Sequence, residues 1–281
     1  MAQELCLITG AAGFVGRSCA RLLRAQGLGV REIGRSAPKG SDLYFALGDP
    51  INPALFDSAA SLVHCAYDFR AESWNEIEKI NVRGSIDLFE TAKAGGVSRL
   101  VFISSVSAFE GCRSLYGRGK LEVEKEVLRM GGLVIRPGLV WDDSERGMHG
   151  RLKRLARLPI LPIFGSGREP FVLVHAEDLA RCVSAALRMN LPSGNSLITA
   201  ANPQPVAFAD ILKSLAKRQG RRARVIPMPA ALGLGLLRTL ETLGLPAGFR
   251  SDSLRSLLYP NPNMDFETQK SWGVEFRPYP A

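Results

Sequence analysis

The sequence predicts an α/β protein, a doubly wound parallel sheet with a smaller lobe interleaved toward its C-terminal end. Three observations carry this reading. Short apolar runs alternate with longer helical patterns from residue 5 to residue 138. Several of those runs are rich in Val, Ile and Leu with little polar alternation, as strands covered on both faces are. The first run ends in a glycine-rich turn, "TGAAGFVGR", that opens directly into a helical pattern.

"LCLITG" (5–10) reads as the first strand, and residues 14–26 as a helix with Val15, Cys19, Leu22 and Leu23 on one face. "GVREIGR" (29–35) reads as a second strand, "LYFALGD" (43–49) as a third and "SLVHCAY" (61–67) as a fourth. Residues 72–94 carry a long helical pattern with Ile77, Ile80, Ile86, Leu88 and Phe89. "RLVFISS" (99–105) is a fifth strand, a helix over 114–128 follows, and "GLVIRPG" (132–138) is a sixth. Parallel neighbours need crossover connections, and these helices supply them with the usual right-handed sense. After Gly138 the texture changes. Residues 141–170, rich in Gly, Pro and Arg, read as loop with one short helix, and 170–189 as strand then helix. Glu177 and Asp178 stand at that helix start, where acidic groups suit the dipole. "SLITAA" (196–201) reads as a further strand.

With 281 residues, 46% hydrophobic and 22% charged, the chain has material for a large globular core. The net charge of +9 is drawn locally from "RLKRLAR" (151–157) and "KRQGRRAR" (217–224). Such runs serve nucleic acid, anionic membrane surfaces or phosphorylated ligands, or simply solvate a helix face. No aromatic residue interleaves them, so bases have no stacking platform and nucleic acid is not expected. The five cysteines show no paired spacing, and neither a disulfide framework nor a metal cluster is expected. No run reaches the ~18 apolar residues of a membrane span. The segment 227–246 is apolar but interrupted by Arg238 and Glu241, and reads as an amphipathic helix packed on the protein. With no basic-then-apolar leader in "MAQELCLITG", the protein reads as soluble and cytoplasmic.

In the turn, Gly10 permits the sharp bend, Gly13 lets a pyrophosphate approach the backbone, and Gly16 lets the helix lie close on the sheet. The amides of Phe14, Val15 and Gly16 are then free to bind an anion. The second strand ends without the acidic residue that usually accepts from a ribose 2′-hydroxyl. Arg35 stands there instead, and Arg17 follows the last glycine, so a 2′-phosphate, and hence NADP over NAD, is favoured. Glu32 lies inside the strand rather than at its end. This assigns residues 1–140 and 170–201 to a dinucleotide-binding domain, and 141–169 and 202–281 to a substrate-binding lobe.

Tyr116 and Lys120, in "SLYGRGKLEVEKEVL", are four apart and share one face of a helix. A free phenol with a pKa near ~10 is a poor base at neutral pH. A neighbouring ammonium favours the phenolate, so the pair can exchange a proton with a substrate oxygen.

Several segments in order carry a family likeness: "TGAAGFVGR", "GD" at 48–49, "VHCAY" at 63–67, "NVRGS" at 81–85, "FISSVSA" at 102–108, "YGRGK" at 116–120 and "RPG" at 136–138. Over roughly residues 4–201 the chain resembles the short-chain dehydrogenase/reductase superfamily. It is most similar to the extended branch, the NAD(P)-dependent epimerases and dehydratases of nucleotide sugars. The resemblance implies a Rossmann fold with Tyr116, Lys120 and Ser105 as catalytic residues, Ser104 competing for the place of Ser105. It implies that Asp49 binds the adenine amino group, that backbone around His64–Ala66 flanks the cofactor, that Lys120 binds the nicotinamide ribose and that Asn81 supports the site. A homodimer through the helices near 72–94 and 114–130 is common in that branch. One departure stands out: only 11 positions separate Ser105 from Tyr116, against a much longer connection in the sugar epimerases.

The implied activity is NADP(H)-dependent reduction of a keto group, or oxidation of a secondary alcohol, with a nucleotide-linked keto-sugar the first choice of substrate. Alternatives are an epimerase with tightly bound cofactor and a non-catalytic NADP-binding module. For an anionic substrate, Arg168 in "GSGREPF" and Arg136 before Pro137 are candidate contacts, although Arg136 equally suits a structural ion pair. His64, His149 and His175 read as structural.

Overall fold

The computed structural model describes residues 4–41, 43–189, 196–244 and 250–280. Strand β1 (Leu5–Thr9) leads through the glycine turn into α1 (Phe14–Ala25), then β2 (Gly29–Ile33) and β3 (Ala59–His64). Helix α2 (Trp74–Glu76) continues through a π-helical turn (Ile77–Arg83) into α3 (Gly84–Ala94). Then come β4 (Arg99–Ile103), α4 (Leu115–Arg129) and β5 (Leu133–Pro137). Strand β6 (Leu139–Trp141), α5 (Gly147–Leu155), β7 (Ile160–Phe164), β8 (Pro170–Phe171) and β9 (Leu173–His175) precede α6 (Ala176–Arg188) and β10 (Leu197–Ala200). The chain finishes with β11 (Val206–Ala207), α7 (Phe208–Arg218), β12 (Arg224–Met228), α8 (Ala230–Thr242), α9 (Ser251–Leu258) and α10 (Glu267–Trp272).

Six strands form one parallel sheet in the order β10-β5-β4-β3-β1-β2. Strand alternation divides its side chains into two cores. Cys6, Ile8, Val63, Val101, Ile135 and Ile198 meet α1 and α6 on one face. Leu7, Leu62, Leu100, Phe102 and Val134 meet Leu88 and Phe89 of α3 and Val123 and Val127 of α4 on the other. A third cluster, with Trp141, Leu152, Leu161, Ile163, Phe208 and Ile211, joins β6, α5, β7 and α7. The sequence direction reverses between β1 and β3, and there the carboxyl ends of neighbouring strands open a crevice.

Two expectations need correction. Residues 43–49 do not form a strand. Its backbone hydrogen bonds to β2's end, among the described residues, are at Gly34, whose N–H donates to Leu43 O at 3.0 Å and whose carbonyl accepts from Phe45 N at 3.4 Å. It then turns at Gly48, whose φ of +85° ends any extended run. Also, the helix expected over 72–94 carries a π turn in its middle, so its residues shift face after Ile77. Among the described residues, no helix is long and apolar enough to cross a membrane. Residues 245 and 246 of the apolar segment lie outside the described residues.

The C-terminal tail ties the cores together. Phe276 sits in the first core and Tyr279 in the third. Between them, the guanidinium of Arg277 closes on Asp178, which is 1% exposed, with Nη2 donating at 2.7 Å and Nε at 2.9–3.0 Å, and Arg277 N donates to it at 3.0 Å. Removing that carboxylate leaves several donors unsatisfied. Asp178→Ala is therefore expected to lower the unfolding free energy by about 2 kcal/mol, read from urea denaturation.

Candidate active site

The glycine turn lies against the loop after β3. Gly10 has φ +67°, and a Cβ on it would stand 2.8 Å from Ala66 N. A Cβ on Gly16 would stand 2.4 Å from Gly10 O. Only glycine lets the strand, the next strand's loop and α1 meet so closely. Helix α1 has no side-chain cap and no acidic residue in its first turn. Its opening amides at Phe14, Val15 and Gly16 thus face outward, a favourable end for an anion. These residues fit the pyrophosphate of a dinucleotide.

A buried polar relay fixes the loop beside them. The N–H groups of Cys65 and Ala66 donate to Thr9 Oγ1 at 3.1 and 3.2 Å, and Ser85 Oγ donates to Asn81 O at 2.6 Å. With those directions set, Thr9 donates to His64 Nδ1 at 2.7 Å, and His64 Nε2–H donates to Ser85 Oγ at 2.8 Å. Burial, reinforced by Lys120, holds the His64 pKa well below its ordinary value, so the ring is a neutral, structural one. The π turn aims Asn81 at the loop. Its side chain accepts from Asp68 N at 2.7 Å and donates to Asp68 O at 3.0 Å.

The adenosine side is less enclosed. Arg17 is exposed, with one contact of 3.4 Å to Ala12 O. Arg35 is half-exposed and touches Asp68 through one nitrogen at 3.2 Å. Asp68 is mainly held by Arg70, which lowers its pKa to about 2. Glu32 is engaged by Arg24. Asp49 accepts from Tyr44 Oη at 2.8 Å.

At the carboxyl end of β4 and the start of α4, three sequence candidates come together. Tyr116 is partly buried; burial, partly offset by the Ser105 hydroxyl, leaves its phenol raised to about 12. Ser105 Oγ also accepts from Ser107 N at 3.1 Å. Lys120 is 4% exposed, and its ammonium donates to Ile103 O at 2.8 Å. It lies 4.6 Å from the ring centre of Phe102, 5.4 Å from Tyr67 and 6.0 Å from Tyr116. Burial pulls Lys120 down to about 8, countered in part by Cys65 and Glu124. Ser104 is buried, with a hydroxyl that has no partner among the described residues.

Other candidates lie apart. Arg136 closes a buried ion pair on Glu124, with Nε at 2.9 and 3.1 Å and Nη2 at 2.5 Å. The pair lines a cavity of about 430 Å³ with Phe109, Leu128 and Asn261, which Tyr116 and Lys120 do not line. Arg168 is exposed on the loop between β7 and β8, where its backbone N–H donates to Ser166 Oγ at 3.0 Å and its guanidinium has no partner among the described residues. His149 is buried against Tyr279 and Trp141, and His175 caps α6.

Several site residues escaped sequence reasoning. Tyr67 meets the Tyr116 ring edge-on at 4.9 Å, and Phe69, 65% exposed, stacks near it at 6.0 Å. Asp252, on α9, accepts from Leu115 N at 2.7 Å and Tyr116 N at 3.0 Å, capping α4 from outside. Tyr67 stood within a quoted motif, but Asp252 is 136 positions from Tyr116 and gave no local signal.

A doubly wound sheet with this glycine turn and this Tyr–Lys helix defines an enzyme of the short-chain dehydrogenase/reductase type. Residues 6–130 match the model of the NAD dependent epimerase/dehydratase family. A ceramide reductase from Caulobacter vibrioides is 26% identical over 239 residues, 81% of this chain and 74% of that protein. A UDP-glucose 4-epimerase from Vibrio cholerae is 24% identical, covering 79% of this chain and 78% of its own. Among solved structures, MoeE5 in complex with UDP-glucuronic acid and NAD superposes with a TM-score of 0.72 at 19% identity, over 98% of this chain and 94% of that one. At that identity the superposition speaks for the fold.

The buried ammonium gives a pH signature. Lys120 has a folded pKa of about 8 against 10.5 unfolded, so below pH 8 the folded state carries the full penalty of a desolvated charge. As pH rises, the folded state releases its proton first, and stability increases. Relative to Lys120→Met, the wild-type protein should gain roughly 2 kcal/mol between about pH 8 and about pH 10, measured by urea unfolding at both.

Proposed function

We propose that the protein is an NADP(H)-dependent reductase of a ketone, with Tyr116 as proton donor, Ser105 as the second hydrogen-bond donor to the carbonyl oxygen and Lys120 as the neighbouring charge. The observation that carries this reading is the convergence of these three groups next to Tyr67, which directly follows the Ala66 that packs on Gly10. When bound, the nicotinamide would supply the hydride. Ser105 polarises the carbonyl as negative charge gathers on its oxygen. Tyr116 then gives that oxygen its proton, and the product is a secondary alcohol. A phenol held protonated at neutral pH supports the reductive direction. Arg17 and Arg35 support NADP, since their exposed donors suit a 2′-phosphate while Glu32 is engaged elsewhere.

The aromatic rim of Tyr67 and Phe69 favours a substrate with a sizeable apolar body, and a ceramide reductase among the relatives is in keeping with it. A nucleotide-linked keto-sugar is the second reading. It is supported by the exposed guanidinium of Arg168 and by neighbours that hold UDP-sugars. NADPH consumption against long-chain ketones and UDP-linked 4-keto-sugars separates the two. Isomerised sugar without NADPH loss would instead indicate an epimerase.

Tyr116→Phe is expected to lower kcat by ~10²–10⁴ while NADPH still binds, followed by cofactor fluorescence. Full turnover in that variant would overturn the reading. Arg35→Ala should raise KM for NADPH about tenfold and leave that for NADH nearly unchanged, because a charge-assisted contact to phosphate is lost.

A further inference from the structure

We propose that the outer face of the lobe formed by β7, β12 and α8 docks on an anionic lipid bilayer surface. Helix α8 has two apolar stripes. One packs inward: Gly233 and Leu237 are buried, and a Cβ on Gly233 would stand 2.4 Å from the Phe164 ring. The other faces outward. Leu232 and Leu236, one turn apart, are 58% and 56% exposed, and Leu243 farther along the same stripe is 64% exposed.

The ribbon on which α8 packs also exposes apolar side chains. Because Phe164 points toward α8, strand alternation sends Ile160 and Pro162 to the same outer face. Their register partners Arg224 and Ile226 face that way too. Ile160 is 54% exposed and Ile226 40%.

At the amino end of the ribbon the two basic runs join into one patch. Gln219 Nε2 donates to Lys153 O at 3.0 Å, and Arg221 Nη1 donates to Arg157 O at 2.8 Å. Glu145 neutralises only Arg154 and Arg157. Arg151, Lys217, Arg222 and Arg224 are exposed and carry no ion pair among the described residues.

Isolated exposed leucines are ordinary. A leucine stripe on α8, exposed isoleucines on the ribbon that α8 packs against, and unpaired cations at that ribbon's end make the two-signal pattern of a peripheral membrane anchor. Charge decides among the occupants. A second copy meeting this face to face would bring cations against cations. Nucleic acid would satisfy the cations but leave the leucines and isoleucines in water. An anionic bilayer satisfies both. The face also lies close to the candidate site: Glu241 of α8 accepts from Ser251 N at 2.7 Å, and the next residue, Asp252, caps the turn bearing Tyr116.

The test is co-sedimentation of the full chain with vesicles of phosphatidylcholine alone or mixed with phosphatidylserine. The expected result is at least ~tenfold stronger partition onto the mixed vesicles at low salt, lost at high salt. Leu232→Glu/Leu236→Glu and, separately, Arg222→Glu/Arg224→Glu should each reduce that partition about tenfold with unchanged thermal melting and NADPH binding, because both pairs are exposed. Equal partition onto both vesicle types, or variants that bind like wild type, overturns the proposal. So does a dimer in solution that Leu232→Glu dissociates, or tight DNA binding without vesicle binding. None of these outcomes depends on turnover, so they stand apart from the test of the reductase reading.

Discussion

The site rests on an ammonium buried with little to neutralise it. Lys120 Nζ has one carbonyl, that of Ile103, and the faces of Phe102, Tyr67 and Tyr116 around it. Its helical neighbour Glu124 is buried one turn on, but Arg136 takes that carboxylate with three short contacts. The acid is therefore near enough to favour the charge and too occupied to cancel it. Desolvation wins, and the lysine sits closer to neutrality than any surface lysine would.

Placing that ammonium brings α4 close against the loop that follows β4. Two glycines between the tyrosine and the lysine make this possible. A Cβ on Gly117 would stand 2.1 Å from Ser107 O, and one on Gly119 would stand 3.0 Å from Ile77 Cγ2. The helix thus presses on the 105–108 loop with one face and on the π turn with the next.

What was legible in the sequence is what is local. The glycine turn, the alternation of strands and helices, and the Tyr–Lys spacing each lie within a few residues, so their chemistry could be argued before their geometry was known. The misreadings have physical causes. "LYFALGD" has strand composition, but Gly48 turns the chain and, among the described residues, the segment bonds to β2's end at Gly34. A π turn adds one residue to a helix whose apolar spacing scarcely changes, so Ile77 to Arg83 read as ordinary helix. Residues 227–244 showed their apolar content but not which stripe would lack a partner, since that depends on Phe164 taking Gly233. Arg136 offered two roles, and the choice depended on a buried Glu124 twelve positions away.

The least legible feature, Asp252, bears most directly on the chemistry. A helix begins with amides that have no intrahelical partner. In α4, Ser114 takes the amide of Gly117, while Asp252 takes those of Leu115 and Tyr116. A carboxylate at that end suits the helix dipole, and its charge also favours protonated phenols, adding to burial in raising the Tyr67 pKa. Arg250, two residues earlier, donates to the carbonyls of Phe69 and Ala71, so the same stretch of chain grips both walls of the aromatic rim. The backbone at Tyr116 is thus held by α9, and α9 is held to α8 by Glu241. Two hydrogen-bonded links, Glu241 with Ser251 and Asp252 with the Tyr116 N–H, therefore join α8 to the start of α4, so the C-terminal helices help position the candidate site rather than lie over it.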